Sequence, residues 1–157
     1  MKSSEFRSIL KKLGKNNIAI IGHMGSGKSV MGKIFANKFG FKHVDSDKKI
    51  IKLTNKPINI IFDEKGENFF RNIEKKVVLN LIDKKSIVLS LGGGSILDMA
   101  VRNKLKKKSL TLFLDVNLKE LEKRLKRSFN RPLLKNTDIN EKMKKLDTER
   151  RKYYLLA

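Results

Sequence analysis

Apolar residues recur along this chain in two rhythms, and the alternation between them sets out its elements. Short runs at Ile18 to Ile21, Phe41 to Val44, Ile87 to Leu91 and Leu110 to Asp115 read as strands; the first and third are bare of charge, as strands buried on both faces are. Between these runs the apolar spacing lengthens to three and four residues. Phe6, Ile9, Leu10 and Leu13 mark an amphipathic basic helix within Met1 to Lys15 (residues 1–15), expected to pack on the rest of the domain. Met31, Ile34, Phe35 and Phe39 mark a helix ending near Gly40, and Ile50 to Phe62, interrupted by Pro57, reads as a helix, a break and a second short helix. Lys65-Gly66 then turns the chain into a long helix with Phe70, Ile73, Val77 and Leu81 facing inward. Ile96 to Lys107 is helical, Leu118, Leu121 and Leu125 mark another helix, and the last carries Ile139, Met143, Leu146 and Tyr154. Strands alternating with helices predict a single α/β domain over residues 1–157. Its parallel sheet is expected to have about four to five strands, with helices on both faces.

The first strand runs into Gly22-His-Met-Gly-Ser-Gly-Lys-Ser29, which fits the phosphate-binding pattern G-x-x-x-x-G-K-[ST] in register. A triphosphate has to be wrapped closely by backbone N–H groups, which calls for positive φ and no Cβ at several positions; glycine meets both needs. Lys28 is then placed to reach the β- and γ-phosphates and the Ser29 hydroxyl to hold Mg²⁺, while the following helix aims its positive end at the anion. The strand and helix that this loop requires flank it here, so a P-loop NTPase-like domain that binds a nucleotide is expected.

Other polar residues stand at the ends of strands or in phase with apolar stripes. Asp45-Ser-Asp47 closes the second strand, where ligands gather in open parallel sheets. The two acids suit a Mg²⁺ shell and an acceptor hydroxyl, or a helix N-cap with a companion acid. No Asp ends the third strand, which leaves the metal to Ser29 and Asp45. That strand closes instead on Gly92-Gly93-Gly94, a sign either of something approaching the backbone closely or of a plain flexible turn. Arg71 lies beside the stripe of the long helix with Glu74 three residues on, so a surface ion pair is one reading. Arg150 is in phase with the last stripe, and a guanidinium aimed inward needs an anion. Asp147 could supply it locally; otherwise the partner is distant in sequence or is a ligand carboxylate. Arg124 and Arg127 lead into Asn130-Arg131-Pro132-Leu133-Leu134, and residues 124–136 read as a lid closing over phosphates or as a solvated charge run.

Composition narrows the class further. Lys and Arg outnumber Asp and Glu by 37 to 16, a net charge of +21, but the lysines are spread over nearly every predicted helix face with few aromatics between them. A solvated surface attractive to anionic substrates is expected, with no obligate nucleic-acid partner. The absence of cysteine excludes a disulfide framework and a thiolate metal site and suits a cytoplasmic location. No apolar run approaches the roughly 20 residues that cross a bilayer, so no membrane span is expected. A monomer acting on small molecules is the expectation.

These separated motifs together resemble the shikimate kinase family of small P-loop kinases. The likeness runs from about Asn17 to Tyr154, through the phosphate loop, Asp45-Ser-Asp47, Ile61-Phe62 with Gly66-Glu67 and Phe70-Arg71, Leu89 to Gly94, Arg131 to Leu134, and Glu149-Arg150 ahead of Tyr154. It implies ATP-dependent phosphorylation of shikimate to shikimate 3-phosphate in aromatic amino-acid biosynthesis, with Mg²⁺. Gly22, Gly25, Ser26, Gly27, Lys28, Ser29 and Val30 would hold ATP, with Arg131 of the lid against the phosphates and Arg124 towards the adenine. Ser29, and Asp45 through water, would serve the metal. Asp47 would hold the ring hydroxyls and take the proton of the attacking one, and Arg71 and Arg150 would clamp the carboxylate. Gly92, Gly93 and Gly94 would present backbone to the ring, with Phe62 and Phe70 as pocket walls. Lys28, Asp47 and Arg131 would be the catalytic set. The family pattern continues into a fifth strand and a closing helix, whereas this chain stops at Ala157, so a sheet short by an edge strand is expected. Two rivals stand beside this reading: a gluconate or nucleoside monophosphate kinase, and a non-catalytic nucleotide- or polyanion-binding protein.

Overall fold

A computed structural model describes residues 3–126 and 138–157. Four strands, β1 (Asn17–Ile21), β2 (Lys42–Asp45), β3 (Ile87–Ser90) and β4 (Ser109–Phe113), form a parallel sheet in the order β2-β3-β1-β4. The central pair, β1 and β3, is buried at every position, which is why those two runs carry no charge. The edge strand β2 keeps contact with solvent and accommodates Lys42 and His43. No fifth strand is present among the described residues.

Among the described residues seven α-helices cover the sheet: α1 (Ser3–Lys12), α2 (Lys28–Phe39), α3 (Ser46–Thr54), α4 (Ile58–Ile82), α5 (Met99–Lys108), α6 (Leu118–Lys126) and α7 (Ile139–Leu156). Alternate side chains of a strand point to opposite faces, and β1 shows the division clearly. Ala19 and Ile21 join Leu89, with Val78 and Ile82 of α4, Val101 and Leu105 of α5, and Tyr154 of α7. Ile18 and Ile20 join Val88 on the other face, with Phe6 and Leu10 of α1 and Ala36 and Phe39 of α2.

Differences from the expected elements have local causes. Of the four apolar residues Phe6, Ile9, Leu10 and Leu13, only Phe6 and Leu10 are buried, whereas Ile9 and Leu13, the latter just past the end of α1, stay in solvent, because the helix meets α2 along a narrow seam. There the Phe6 ring stacks on Phe39 at 3.9 Å between centroids, and Arg7 Nη2 donates to the Gly40 carbonyl at 2.7 Å. On α2 the buried face is Gly32, Ala36 and Phe39, and Ile34 is exposed. A Cβ at Gly32 would lie 2.6 Å from the His43 ring and from Ser90 Oγ, so this glycine lets the helix sit close to β2 and β3. Helix α4 is broken at Gly66, whose φ of 77° lies in the left-handed region, and this is the turn expected from Lys65-Gly66.

With every strand parallel, their carboxyl ends meet along one edge of the sheet. The loop after β1, the first turn of α3, the glycine run after β3 and the segment after β4 all emerge there.

Candidate active site

The phosphate loop joins β1 to α2 with positive φ at Gly22, Gly25 and Gly27. A Cβ at Gly22 would press on the Leu114 carbonyl oxygen at 2.9 Å and on Ser26 Oγ, so the loop closes tightly against the segment after β4. At Gly27, which precedes the first residue of α2, a Cβ would meet nothing within 4 Å; this is the open side of the cradle. Lys28 Nζ folds back to donate to the carbonyls of Gly22 at 2.8 Å and His23 at 2.7 Å. Ser29 Oγ donates to Asp45 Oδ2 at 2.6 Å. The other oxygen of Asp45 accepts from the N–H groups of Asp47 and Lys48 and caps α3. Asp45 is therefore a helix N-cap through one oxygen, while the other faces the loop at Ser29.

A cleft of about 290 Å³ opens between this loop and the sheet. Gly25, Gly27, Lys28, Ser29 and Val30 line one wall, and Asp45, Asp47, Leu91 and Gly93 line the other. Ser26 is buried behind the loop, and its hydroxyl has no hydrogen-bond partner among the described residues. Arg124 of α6 pairs with Glu120 at 2.9 Å, and its Nη1 lies 3.5 Å from the Gly25 carbonyl, over the loop. Arg131 and most of the expected lid lie outside the described residues.

Gly92, Gly93 and Gly94 are where the remaining candidates converge. A Cβ at Gly92 would stand 2.6 Å from Asp47 Oδ1 and 2.7 Å from Glu74 Oε1. One at Gly93 would be 3.5 Å from Arg150 Nη1, and one at Gly94 would collide with the Arg71 guanidinium. Side chains of α3, α4 and α7 thus close on one short stretch of backbone, and two of the three glycines exist because charged groups occupy the space. The plain flexible turn is set aside.

The charges in this cluster are unevenly matched. Arg71 Nη1 meets Glu74 Oε2 at 2.6 Å, and its Nη2 meets Glu67 Oε1 at 2.9 Å, so the expected ion pair is present. Glu74, however, is buried, and its second oxygen accepts from Ser95 Oγ at 2.7 Å. Arg150 is also buried and has no carboxylate partner among the described residues; its Nε has no hydrogen bond at all. Asp147, the local candidate, is engaged elsewhere, 2.9 Å from His23 Nε2 and 3.6 Å from Arg151. The Arg150–Asp147 pair is therefore corrected: α7 turns Arg150 towards the glycine run and Asp147 towards the phosphate loop.

Asp47 is driven towards its neutral form. Burial is the main cause, the charges of Asp45 and Glu74 add to it, and together they outweigh Lys28 and a hydrogen bond with Ser46, which raises its pKa to about 6. A carboxylate tuned so near neutrality, in a cleft beside a phosphate loop, is what a proton acceptor requires. Phe62 and Phe70 sit with ring centroids 4.7 Å apart, in the packing of α3 on α4 with Ile50 and Ile61. They lie outside the cleft beside Lys28, and Phe70 approaches the site through Arg71, whose Cζ is 5.3 Å from its ring centre.

Four contributors escape the sequence patterns or are undervalued by them. Glu74 lies on a buried stripe with Phe70, Val78 and Leu81, one residue out of phase with the stripe drawn through Ile73 and Val77; that shift is the signal that could have found it. Ser46 Oγ accepts from the Gly92 N–H at 2.9 Å, and the Tyr154 hydroxyl donates to the Gly93 carbonyl at 2.7 Å. Burial raises the Tyr154 pKa to about 12, keeping that donor protonated. His23, at a variable position of the loop, is buried against α7, and no pattern marks it.

The shikimate kinase family profile matches residues 24–157. The chain belongs to the shikimate kinase family. A shikimate kinase of Persephonella marina is 40% identical over 141 residues, covering 90% of this chain and 85% of that protein. A shikimate kinase from Acinetobacter baumannii, solved in complex with shikimate, superposes with a TM-score of 0.89 at 32% identity, over 99% of this chain and 84% of that one. A gluconokinase from Sinorhizobium meliloti shares the fold alone, at 20% identity and a TM-score of 0.59 over 83% of this chain and 74% of that one. No helix among the described residues of this shikimate kinase family member is long and apolar enough to cross a membrane.

Proposed function

We propose that this chain transfers the γ-phosphoryl group of ATP to a ring hydroxyl of shikimate, a step of aromatic amino-acid biosynthesis. The observation that carries the reading is the convergence of Asp47, Arg71 and Arg150 on Gly92 to Gly94, with Asp47 and Gly93 lining the cleft beside Lys28. Two guanidinium groups, one of them buried with no carboxylate partner among the described residues, suit a small acid whose carboxylate enters between them.

On this reading the glycine loop takes the triphosphate, and Lys28, which holds the carbonyls of Gly22 and His23, reaches the phosphate oxygens. Ser29 and Asp45 bring one hydroxyl and one carboxylate together, a sparse oxygen set that fits Mg²⁺, which keeps several waters and binds the substrate's phosphates. When bound, the ion neutralises charge on the phosphates. Arg71, fixed by Glu74 and Glu67, and Arg150 orient the acceptor. Asp47 accepts the hydroxyl proton as the new O–P bond forms and the bridging O–P bond of ATP breaks, and ADP leaves. Arg124 stands over the loop on the nucleotide side, and Arg131 is assigned to the phosphates.

A coupled ADP-release assay with shikimate, gluconate and nucleoside monophosphates tests the assignment. Turnover with shikimate alone is expected. Turnover only with another acceptor would reject it, and none with any acceptor would favour a non-catalytic nucleotide-binding role.

A further inference from the structure

The imidazole of His23 lies at a junction that the phosphoryl-transfer scheme does not use. Its ring is buried, and Nε2 is 2.9 Å from Asp147 Oδ1, on α7 one turn before Arg150. The same ring meets Tyr154 edge-on at 4.9 Å between centroids, and Tyr154 in turn holds the Gly93 carbonyl. The residue's own carbonyl accepts from Lys28 Nζ at 2.7 Å. One residue therefore touches the lysine that meets the phosphates when nucleotide enters, the helix that carries the acceptor clamp, and the tyrosine anchored to the glycine run.

Resting on the shikimate reading, we propose that His23 is a positioning residue. Through Asp147 it ties the nucleotide loop to α7, so that filling the loop tightens the grip of Arg150 on the acceptor carboxylate.

The physical basis is a choice between two arrangements. An ammonium has three N–H groups, and Lys28 Nζ gives two of them to the carbonyls of Gly22 and His23, so bound phosphate draws on the same group and gives the loop at His23 a set of contacts that differs from the one without nucleotide. A buried ring with a hydrogen bond at one edge and an aromatic contact on its side moves with what it touches. The groups facing it are Asp147, Arg150, Lys28 and Tyr154; burial, aided by the two cations, outweighs Asp147 and holds the imidazole below its usual pKa. At neutral pH it is uncharged, so Nε2–H donates to the carboxylate while Nδ1 stays a bare buried acceptor. Arg151 lies beside the same carboxylate but pairs mainly with Asp115, at 2.6 Å and 3.0 Å.

The readout is the ratio of shikimate dissociation constants without and with a β,γ-imido ATP analogue and Mg²⁺, measured by calorimetry. Simple loosening of the fold weakens both constants and leaves the ratio alone, whereas loss of the tie lowers the ratio. Wild type is expected to show a ratio of about fivefold or more. His23→Leu should bring it below about twofold, and so should Asp147→Ala, made on the solvent side of the bond in case the loop variant fails to fold. Asp147→Asn, which keeps an acceptor for Nε2–H, should retain the ratio. Arg151→Ala, which breaks the Asp115 pair and leaves the His23 bond, should also retain it. A wild-type ratio near one, an undiminished ratio in both His23→Leu and Asp147→Ala, or an equal collapse in Arg151→Ala overturns the proposal. A wild-type protein that binds no shikimate in either state overturns the substrate reading as well, which separates the two failures.

Discussion

Asp47 is where this site works against the stability of the fold. In the unfolded chain it ionises with a pKa of 3.8, and in the folded protein at about 6. The folded state therefore binds more protons between those values, and stability falls as pH rises through that window. Two units at about 1.4 kcal/mol each come to about 3 kcal/mol of destabilisation once Asp47 is fully ionised. Asp47→Asn cannot titrate and removes this penalty. Relative to wild type, the variant should gain about 2 kcal/mol between pH 4.5 and pH 7.5, or about 1 M in urea midpoint for a slope of about 2 kcal/mol/M. Its turnover should fall by about 10²–10⁴, the usual loss when a general base is removed. Urea unfolding of both proteins at the two pH values, followed by circular dichroism, reads the first effect, and the coupled assay reads the second. A difference between variant and wild type that is the same at both pH values would show that Asp47 ionises normally and would remove the case for it as a tuned base.

Other outcomes follow from the same cluster. Arg150→Met removes a buried guanidinium that has no carboxylate partner among the described residues, so the ligand-free protein should be more stable by about 1–2 kcal/mol. Its shikimate KM should rise about 10–100-fold, the value of a charged hydrogen bond; an unchanged KM would contradict the clamp. Glu74→Gln withdraws a negative charge that holds the Asp47 pKa up, so the acid limb of kcat/KM should move to lower pH, while Arg71 loses its buried partner and shikimate affinity falls. A full pH profile separates these effects, and a limb that moves upward would refute the charge assignment. Gly92→Ala sets a methyl group against Asp47 and Glu74, so it should abolish turnover while nucleotide binding, measured by fluorescence titration, persists.

Local patterns reached the parts of this protein whose work is done by contiguous residues. A phosphate cradle is a run of backbone N–H groups, so Gly22 to Ser29 could be read as a site directly. The uncharged runs of β1 and β3 likewise follow from burial on both faces. Arg150 was legible because it stands in phase with an apolar stripe, which marks it as buried whatever its partner is. The pattern also nominated Asp147 as that partner, since spacing along a helix says which residues are neighbours and not which way each side chain turns.

The sequence by itself determined the α/β alternation, the phosphate loop and a set of charged residues placed where an α/β sheet gathers ligands. Only the tertiary structure decided how those charges are shared out: Glu74 fixes Arg71, His23 claims Asp147, and Arg150 has no carboxylate partner among the described residues. The raised pKa of Asp47 belongs to the same class, because it comes mainly from lost solvent, with neighbouring Asp45 and the distant Glu74 adding to it. Desolvation and long-range charge depend on distances in space, and no periodicity along the chain encodes them.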